Sequence, residues 1–164
     1  YDRSADGYDE RFAVLQAAKY GAIFERFRPD AGARVLDLGC GTGLLLPKLA
    51  EHSALPVALD LSGAMLAHVR WPAPRGQASS LALPFAPASF DAVFAVTSLL
   101  LDRRGFVHAL VEIARILRPG GTAAITILSR DTYEGLSADF AASGLAASAS
   151  FPCGQDTGWI CQRA

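Results

Sequence analysis

The stretch Arg34–Ala50, RVLDLGCGTGLLLPKLA, passes from an apolar strand pattern through three glycines at alternate positions into an apolar helix pattern. It reads as a nucleotide-binding turn, and the spacing narrows the nucleotide. A dinucleotide fingerprint needs G-x-G-x-x-G, so that its third glycine lets helix and strand pack closely behind the pyrophosphate. Here Gly39, Gly41 and Gly43 give G-x-G-x-G, and Leu44 stands where that third glycine would fall. No Gly-Lys-Ser/Thr follows to hold a phosphate and magnesium, which excludes a P-loop. The turn suits a ligand with an adenosine-like part and no pyrophosphate.

Composition sets the frame around this turn. The chain has 164 residues, 51% of them hydrophobic and 19% charged, enough for one domain, 1–164, with a substantial core. Its mean hydropathy is +0.26, yet it has no uncharged apolar run of about 18 residues and no basic-then-apolar leader, so neither a membrane span nor a signal peptide is expected. A cytoplasmic location is the default expectation. The chain begins at Tyr1 without a methionine, so leading residues, with any targeting segment among them, are expected to be missing. Fifteen basic against sixteen acidic residues give a formal charge of −1, and no basic run exceeds Arg103-Arg104, which argues against nucleic acid as an obligatory partner. Cys40, Cys153 and Cys161 lack C-x-x-C spacing, so they read as reduced thiols and no metal site is expected.

Strand-like and helix-like periods alternate along the chain. Glu10–Arg28 carries apolar residues at helical spacing (Phe12, Leu15, Ile23, Phe27), and Pro29-Asp30 stops it. Arg34–Leu38 reads as a buried strand, Leu44–His52 as a helix, Pro56–Leu61 as a second strand and Gly63–Arg70 as a second crossover helix. The loop WPAPRG follows, and then the irregular ASSLALPFAPAS. FDAVFAVTSLLL supplies a third clear strand, Asp102 is placed to cap a long helix through Leu117, and Pro119-Gly120-Gly121 breaks it before the strand TAAITIL. Repetition of strand, helix, strand predicts a parallel sheet with helices on both faces. SADFAASGLAA reads as helix, and the tail ASASFPCGQDTGWICQRA as two strands around a Gly-Gln-Asp turn, which adds an antiparallel strand.

These segments together resemble the class I S-adenosylmethionine-dependent methyltransferases, in particular the small-molecule branch similar to quinone-biosynthesis enzymes. VLDLGCGTG matches the first motif of that family, ALDLSGAML the second, LALPFAPASFDAV the third region and EIARILRPGGTAAIT the later helix-to-strand turn. YDRSADGYDERF resembles its Tyr-Asp-bearing opening segment. The resemblance covers nearly the whole chain, with the motifs in order and properly separated. It implies a Rossmann-like α/β fold, a seven-stranded, mostly parallel sheet in the order 3-2-1-4-5-7-6 with strand 7 antiparallel.

The resemblance also assigns residues. Gly39, Gly41 and Gly43 would let the backbone pass beside the methionine part of S-adenosylmethionine, where a Cβ would collide. Asp37, at the carboxyl end of the first strand, would hold the turn and the ammonium of the cofactor. Asp60, seventeen residues after Gly43 at the end of the second strand, can accept both ribose hydroxyls. Leu61 and Met65 would flank the adenine, and helix-core packing accounts for Met65 equally well. Relatives often carry an acidic residue five positions before the proline of LPF, where it accepts from the adenine amino group. That position is Ser79 here, which makes Ser79 and the backbone of Ser80 the adenine-edge candidates.

A sulfonium methyl is already an activated electrophile, so the protein mainly has to hold a nucleophile in line and exclude water. His52 and His68 end helices, and His108 lies in a long amphipathic helix, so catalysis is expected from proximity with no named base. Tyr8, Leu100, Arg130 and Tyr133 are the acceptor-side candidates. Leu99–Leu101 stand where many relatives have a polar residue, and the Asn-Pro-Pro-Tyr sequence of amide and exocyclic-amine methylation is absent. The expected acceptor is therefore a small, largely apolar molecule. Two rivals remain: a scaffold or binding protein on the same fold, and a nicotinamide-dependent oxidoreductase, which Leu44 disfavours.

Overall fold

The computed structural model describes residues 8–52, 54–99 and 102–164, with side chains from residue 13 onward. Helix α1 (Tyr8–Phe24) leads into strand β1 (Arg34–Leu38), helix α2 (Leu46–Glu51), strand β2 (Leu55–Asp60), helix α3 (Gly63–Ala67) and strand β3 (Arg75–Gln77). Strand β4 (Phe90–Val96), helix α4 (Arg103–Ile116) and strand β5 (Leu117–Leu128) complete the parallel part. A single 3-10 turn (Ser129–Asp131) then precedes helix α5 (Leu136–Ala142) and strands β6 (Leu145–Ala147), β7 (Phe151–Cys153) and β8 (Asp156–Arg163).

The strands form one sheet in the order β3-β2-β1-β4-β5-β8-β6, with β7 paired to β8 off that path. β1 to β5 are mutually parallel, and β8 runs antiparallel to β5, from Thr122 opposite Gln162 to Leu128 opposite Asp156. This is the Rossmann-like order expected, with eight strands rather than seven. The additional strand is β7, three residues folded back on β8 by the turn at Gly154. Two local expectations are corrected. The helix in SADFAASGLAA stops at Ala142, because Gly144 (φ +82°) turns the chain left-handed and releases Leu145–Ala147 as an edge strand. The loop WPAPRG runs directly into a short edge strand against β2.

Both faces of the sheet are covered, so its strands are apolar on both sides. On one face Leu36 and Leu38 of β1, Val93 and Ala95 of β4 and Ala123, Ile125 and Ile127 of β5 pack against Phe106, Leu110 and Ile113 of α4 and Phe140 of α5. On the other, Val35, Ala92, Phe94 and Ala124 meet Ile23 and Phe24 of α1, Leu45 just before α2 and Leu49 within it. The period-2 alternation places Asp37 on the α1 face, two residues after Val35, at the carboxyl end of β1. Asp102 caps α4 as its sequence position predicts, its side chain accepting from the Gly105 N–H at 2.8 Å.

Candidate functional site

The carboxyl ends of β1, β2, β4 and β5 open into a cavity of about 540 Å3, roofed by α1. Such crevices outside the strand ends are where open α/β sheets bind ligands, and the volume lies within the usual range for small-molecule sites. Asp37, Gly39, Gly41, Asp60, Leu61, Ser79, Ser80 and Arg130 all line it, so the structure brings most of the sequence candidates together.

The turn after β1 is tied to β2 by two hydrogen bonds, from Gly39 N and Cys40 N to the Leu59 carbonyl at 2.7 and 3.0 Å. Gly39 has φ +72°, and a Cβ there would overlap the Ser98 side chain at the end of β4. Gly41 has φ +55° with no heavy atom within 4 Å of a would-be Cβ, so it faces the open cavity. Gly43 does not line the cavity. A Cβ on it would meet Leu46 Cδ1 at 2.9 Å and Val69 Cγ1 at 3.1 Å, so it allows the helix and the β2–β3 connection to pack together. Only Gly41, of the three, reserves ligand space by the test of an added Cβ.

Asp37 is 4% exposed, and its Oδ2 has no hydrogen-bond partner among the described residues. Burial, with a contribution from the Asp60 charge, pushes its carboxyl up to about 7. A buried carboxylate oxygen left without a partner beside a cavity is costly unless a ligand completes it. An ammonium-bearing ligand would do so, and the open cradle at Gly41 leaves room for one. The residues present therefore fit S-adenosylmethionine.

Asp60 is more occupied than its sequence position suggests. Its Oδ2 accepts from Gly41 N and its Oδ1 from Ser62 N, both at 2.8 Å, so the carboxylate already shapes the glycine turn. Each oxygen keeps a second lone pair for a ligand hydroxyl. Ser79 Oγ accepts from Leu81 N at 3.1 Å. Leu61 is 68% exposed at the rim, while Met65 is buried and still borders the cavity.

The acceptor-side candidates separate. Arg130 lines the cavity with its side chain 81% exposed, 3.8 Å from Asp131. Tyr133 does not line it, contrary to expectation. Its hydroxyl donates to Asp139 Oδ2 at 2.7 Å, and the Arg103 guanidinium lies 5.1 Å above its ring, which holds it against α5 instead. Tyr8 begins α1, but its side chain lies outside the described residues, as does Leu100 altogether. Buried Leu99, with Val96 and Leu128, makes an apolar wall. None of the histidines lines the cavity: His68 and His108 are exposed, and His52 packs on Phe24. The three thiols are buried and held well above their ordinary range by desolvation, so none is poised as a nucleophile.

Sequence reasoning missed the polar wall opposite the glycine turn. Lys19 of α1 is 7% exposed, donates to Thr97 Oγ1 at 2.7 Å and lies 3.0 Å from Asp156 Oδ1. Asp156 Oδ2 accepts from the hydroxyls of Thr97 and, at 2.6 Å, Thr126. Thr97 has φ +53°, a conformation rarely adopted by a β-branched residue and held here by Thr97 N donating to Thr126 Oγ1. A signal existed: Lys19 sits midway between Leu15 and Ile23 at four-residue spacing, on the apolar stripe of its own helix.

Comparison with known proteins agrees with this site. The family model described as a methyltransferase domain matches residues 35–121. The chain is 35% identical over 151 residues to a malonyl-[acyl-carrier protein] O-methyltransferase of Erwinia pyrifoliae, covering 84% of this chain and 53% of the relative. It is 36% identical over 137 residues to the O-methyltransferase resE of Aspergillus sclerotiorum, covering 76% of this chain and 51% of that one. It thus spans about half the length of these curated relatives. A crystal structure of a SAM-dependent methyltransferase from Aquifex aeolicus superposes with a TM-score of 0.83 at 15% identity, covering 100% of this chain and 99% of the other. By the family model and these relatives, and in keeping with its glycine turn and strand order, the chain belongs to the methyltransferase domain family, as a class I S-adenosylmethionine-dependent methyltransferase domain.

Proposed function

We propose that this domain transfers a methyl group to an oxygen of a small, largely apolar acceptor held in the cavity beside the cofactor. The observation that carries the reading is the cavity itself. It runs from Asp37 and the glycine turn, past Ser98, to the wall of Val96, Leu99 and Leu128, so that one enclosure offers a cofactor end and an apolar acceptor end. The names of the two relatives, both O-methyltransferases, support oxygen as the atom methylated. A formal charge of −1 without a basic run supports a small molecule over nucleic acid. Among the described residues no helix is long and apolar enough to cross a membrane.

In this reading Asp37 Oδ2 accepts from the ammonium of the cofactor, Asp60 keeps its grip on Gly41 and Ser62 while accepting ribose hydroxyls, and Ser79 with the Ser80 backbone meets the adenine edge. Leu61 and Met65 flank the adenine. The cofactor supplies an activated methyl group. The protein's contribution is to hold the acceptor oxygen in line at about 3 to 3.5 Å and to keep water out. No histidine lines the cavity among the described residues, which fits an acceptor needing no dedicated base.

The test is incubation with methyl-labelled S-adenosylmethionine and a cell extract, followed by fractionation. The Erwinia relative is named for a malonyl group on acyl carrier protein, so acyl groups released from protein by hydroxylamine count as small acceptors. Label is expected in organic-soluble or hydroxylamine-released material. Label confined to RNA or to hydroxylamine-resistant protein would overturn the acceptor class.

A further inference from the structure

The loop that borders the cavity beyond Asp60 has no helix or strand of its own. Residues 78–89 join β3 to β4, and Ala78, Ser79 and Ser80 form a wall of the cavity. Hydrogen bonds within the loop reach only two or three residues, as from Leu81 N to Ser79 Oγ and from Ala82 N to the Ser79 carbonyl, both at 3.1 Å. The loop is held from outside instead. At its start Ala78 N donates to the Asp60 carbonyl at 3.0 Å. Further on, α4 meets it with one pair of side chains a turn apart, Glu112 and Arg115. Glu112 Oε2 accepts from Leu83 N at 2.8 Å, and the Arg115 guanidinium donates to the carbonyls of Leu83 at 2.9 Å and Phe85 at 2.7 Å. The two side chains also bind each other, Arg115 Nε to Glu112 Oε1 at 2.7 Å and Nη2 to Glu112 Oε2 at 2.9 Å, so the planar fork is oriented before it reaches the loop. Neither residue lines the cavity.

We infer that Glu112 and Arg115 are positioning residues for the adenine of the cofactor: by fixing the backbone of Leu83 and Phe85 they hold the Ser79–Ser80 edge where the base can meet it. The inference rests on the reading that Ser79 and the Ser80 backbone face the adenine edge. A hydrogen bond weakens steeply as its distance and angle leave their optimum. A loop without a ladder of its own therefore reads a base edge only if something rigid carries it. The support is α4, packed on the sheet through Phe106, Leu110 and Ile113, with the Leu83 side chain, 5% exposed, set into the same core. From there the path to the cavity is short, since Ala82, next to Leu83, is the residue that bonds back to Ser79. An ion pair of this kind adds little to stability by mutual attraction, whereas three of its five hydrogen bonds go to the loop backbone.

The test compares S-adenosylhomocysteine with S-inosylhomocysteine, which differ only at the base edge. The amino group and bare N1 of adenine become a carbonyl and an N1–H, so donor and acceptor change places. Calorimetric titration of wild type should show a preference of about tenfold for S-adenosylhomocysteine. The variant Glu112→Leu/Arg115→Met removes both charges together, which strands neither. Titrated well below its Tm, it should hold the two ligands within about threefold of each other, through weaker binding of S-adenosylhomocysteine. Arg115→Lys keeps the ion pair and loses the fork, so its preference should fall between the other two, and it carries the test if the double variant does not fold. A merely structural role would weaken both ligands by the same factor, because loosening of the whole domain takes no account of the base. Equal weakening of the two ligands, or a preference of wild-type size in the folded variants, overturns this inference alone. Wild type that binds the two ligands alike refutes the adenine-edge reading and the inference with it.

Discussion

Replacing Gly39 by alanine separates two effects that the motif merges. A non-glycine residue in the left-handed region costs about 1–2 kcal/mol, and Gly39 and Gly41, at φ +72° and +55°, share that cost. They differ in surroundings. The Cβ of Gly39→Ala would overlap Ser98 Cβ and stand 3.0 Å from Ser98 Oγ, whereas that of Gly41→Ala meets nothing within 4 Å. Overpacking against a fixed neighbour adds about 1–3 kcal/mol. Gly39→Ala should therefore destabilise by about 2–5 kcal/mol and Gly41→Ala by about 1–2 kcal/mol. In a domain of this size each kcal/mol is worth roughly 2–4 °C in Tm. Urea titration and calorimetry on both variants measure the gap. The Gly39→Ala/Ser98→Gly double variant should recover the overpacking part, because the obstructing atoms are gone. Equal destabilisation by the two single changes, or no recovery in the double, would refute the assignment of Gly39 to strand-end packing.

Gly41→Val should fold with a lower Tm than Gly41→Ala, because a branched side chain tolerates φ +55° less well, and should lose S-adenosylhomocysteine binding in calorimetric titration where Gly41→Ala keeps it, because its side chain enters the cavity. Asp37 binds its proton more tightly in the folded state, about 7 against 3.8, so its contribution to stability is full below about pH 4 and falls as pH rises to about 7. The stability difference between wild type and Asp37→Asn should shift against wild type by up to roughly 4 kcal/mol across that window, read by urea unfolding of ligand-free protein at stepped pH. Asp156→Ala strands the buried Lys19 ammonium and should cost about 3–5 kcal/mol, with thermal unfolding as the check; a loss under 1 kcal/mol would mean that the pair is well solvated.

Much of this molecule is legible along the chain. The strand, glycine turn and helix of Arg34–Ala50 are local features: a five-residue strand with three apolar residues, punctuation by glycine and an apolar helical continuation carry their own geometry. The same holds for Asp102, whose cap needs only Gly105 three residues on. Asp37 and Asp60 are placed by the strands they end, so their arrival at one crevice follows from parallel pairing. Other short elements are harder to read: β3 and β6 have three residues each and exist through the ladders they join, not through a period of their own.

The folded chain alone decided the rest, because those facts depend on residues far apart in sequence. Lys19 and Asp156 are separated by most of the chain, and each looked ordinary locally, a helix lysine and a turn aspartate. Their pairing needs α1 to cross the sheet and β8 to insert beside β5. The three glycines likewise share one motif but meet different neighbours, Ser98 at Gly39, open cavity at Gly41 and Leu46 with Val69 at Gly43. Tyr133 left the cavity because Arg103 and Asp139, on two other helices, hold it elsewhere. Sequence sets what a residue can do within a turn or two of its own backbone; which partner it meets across the sheet is fixed by packing, where burial makes an unmet polar group costly and so selects one arrangement.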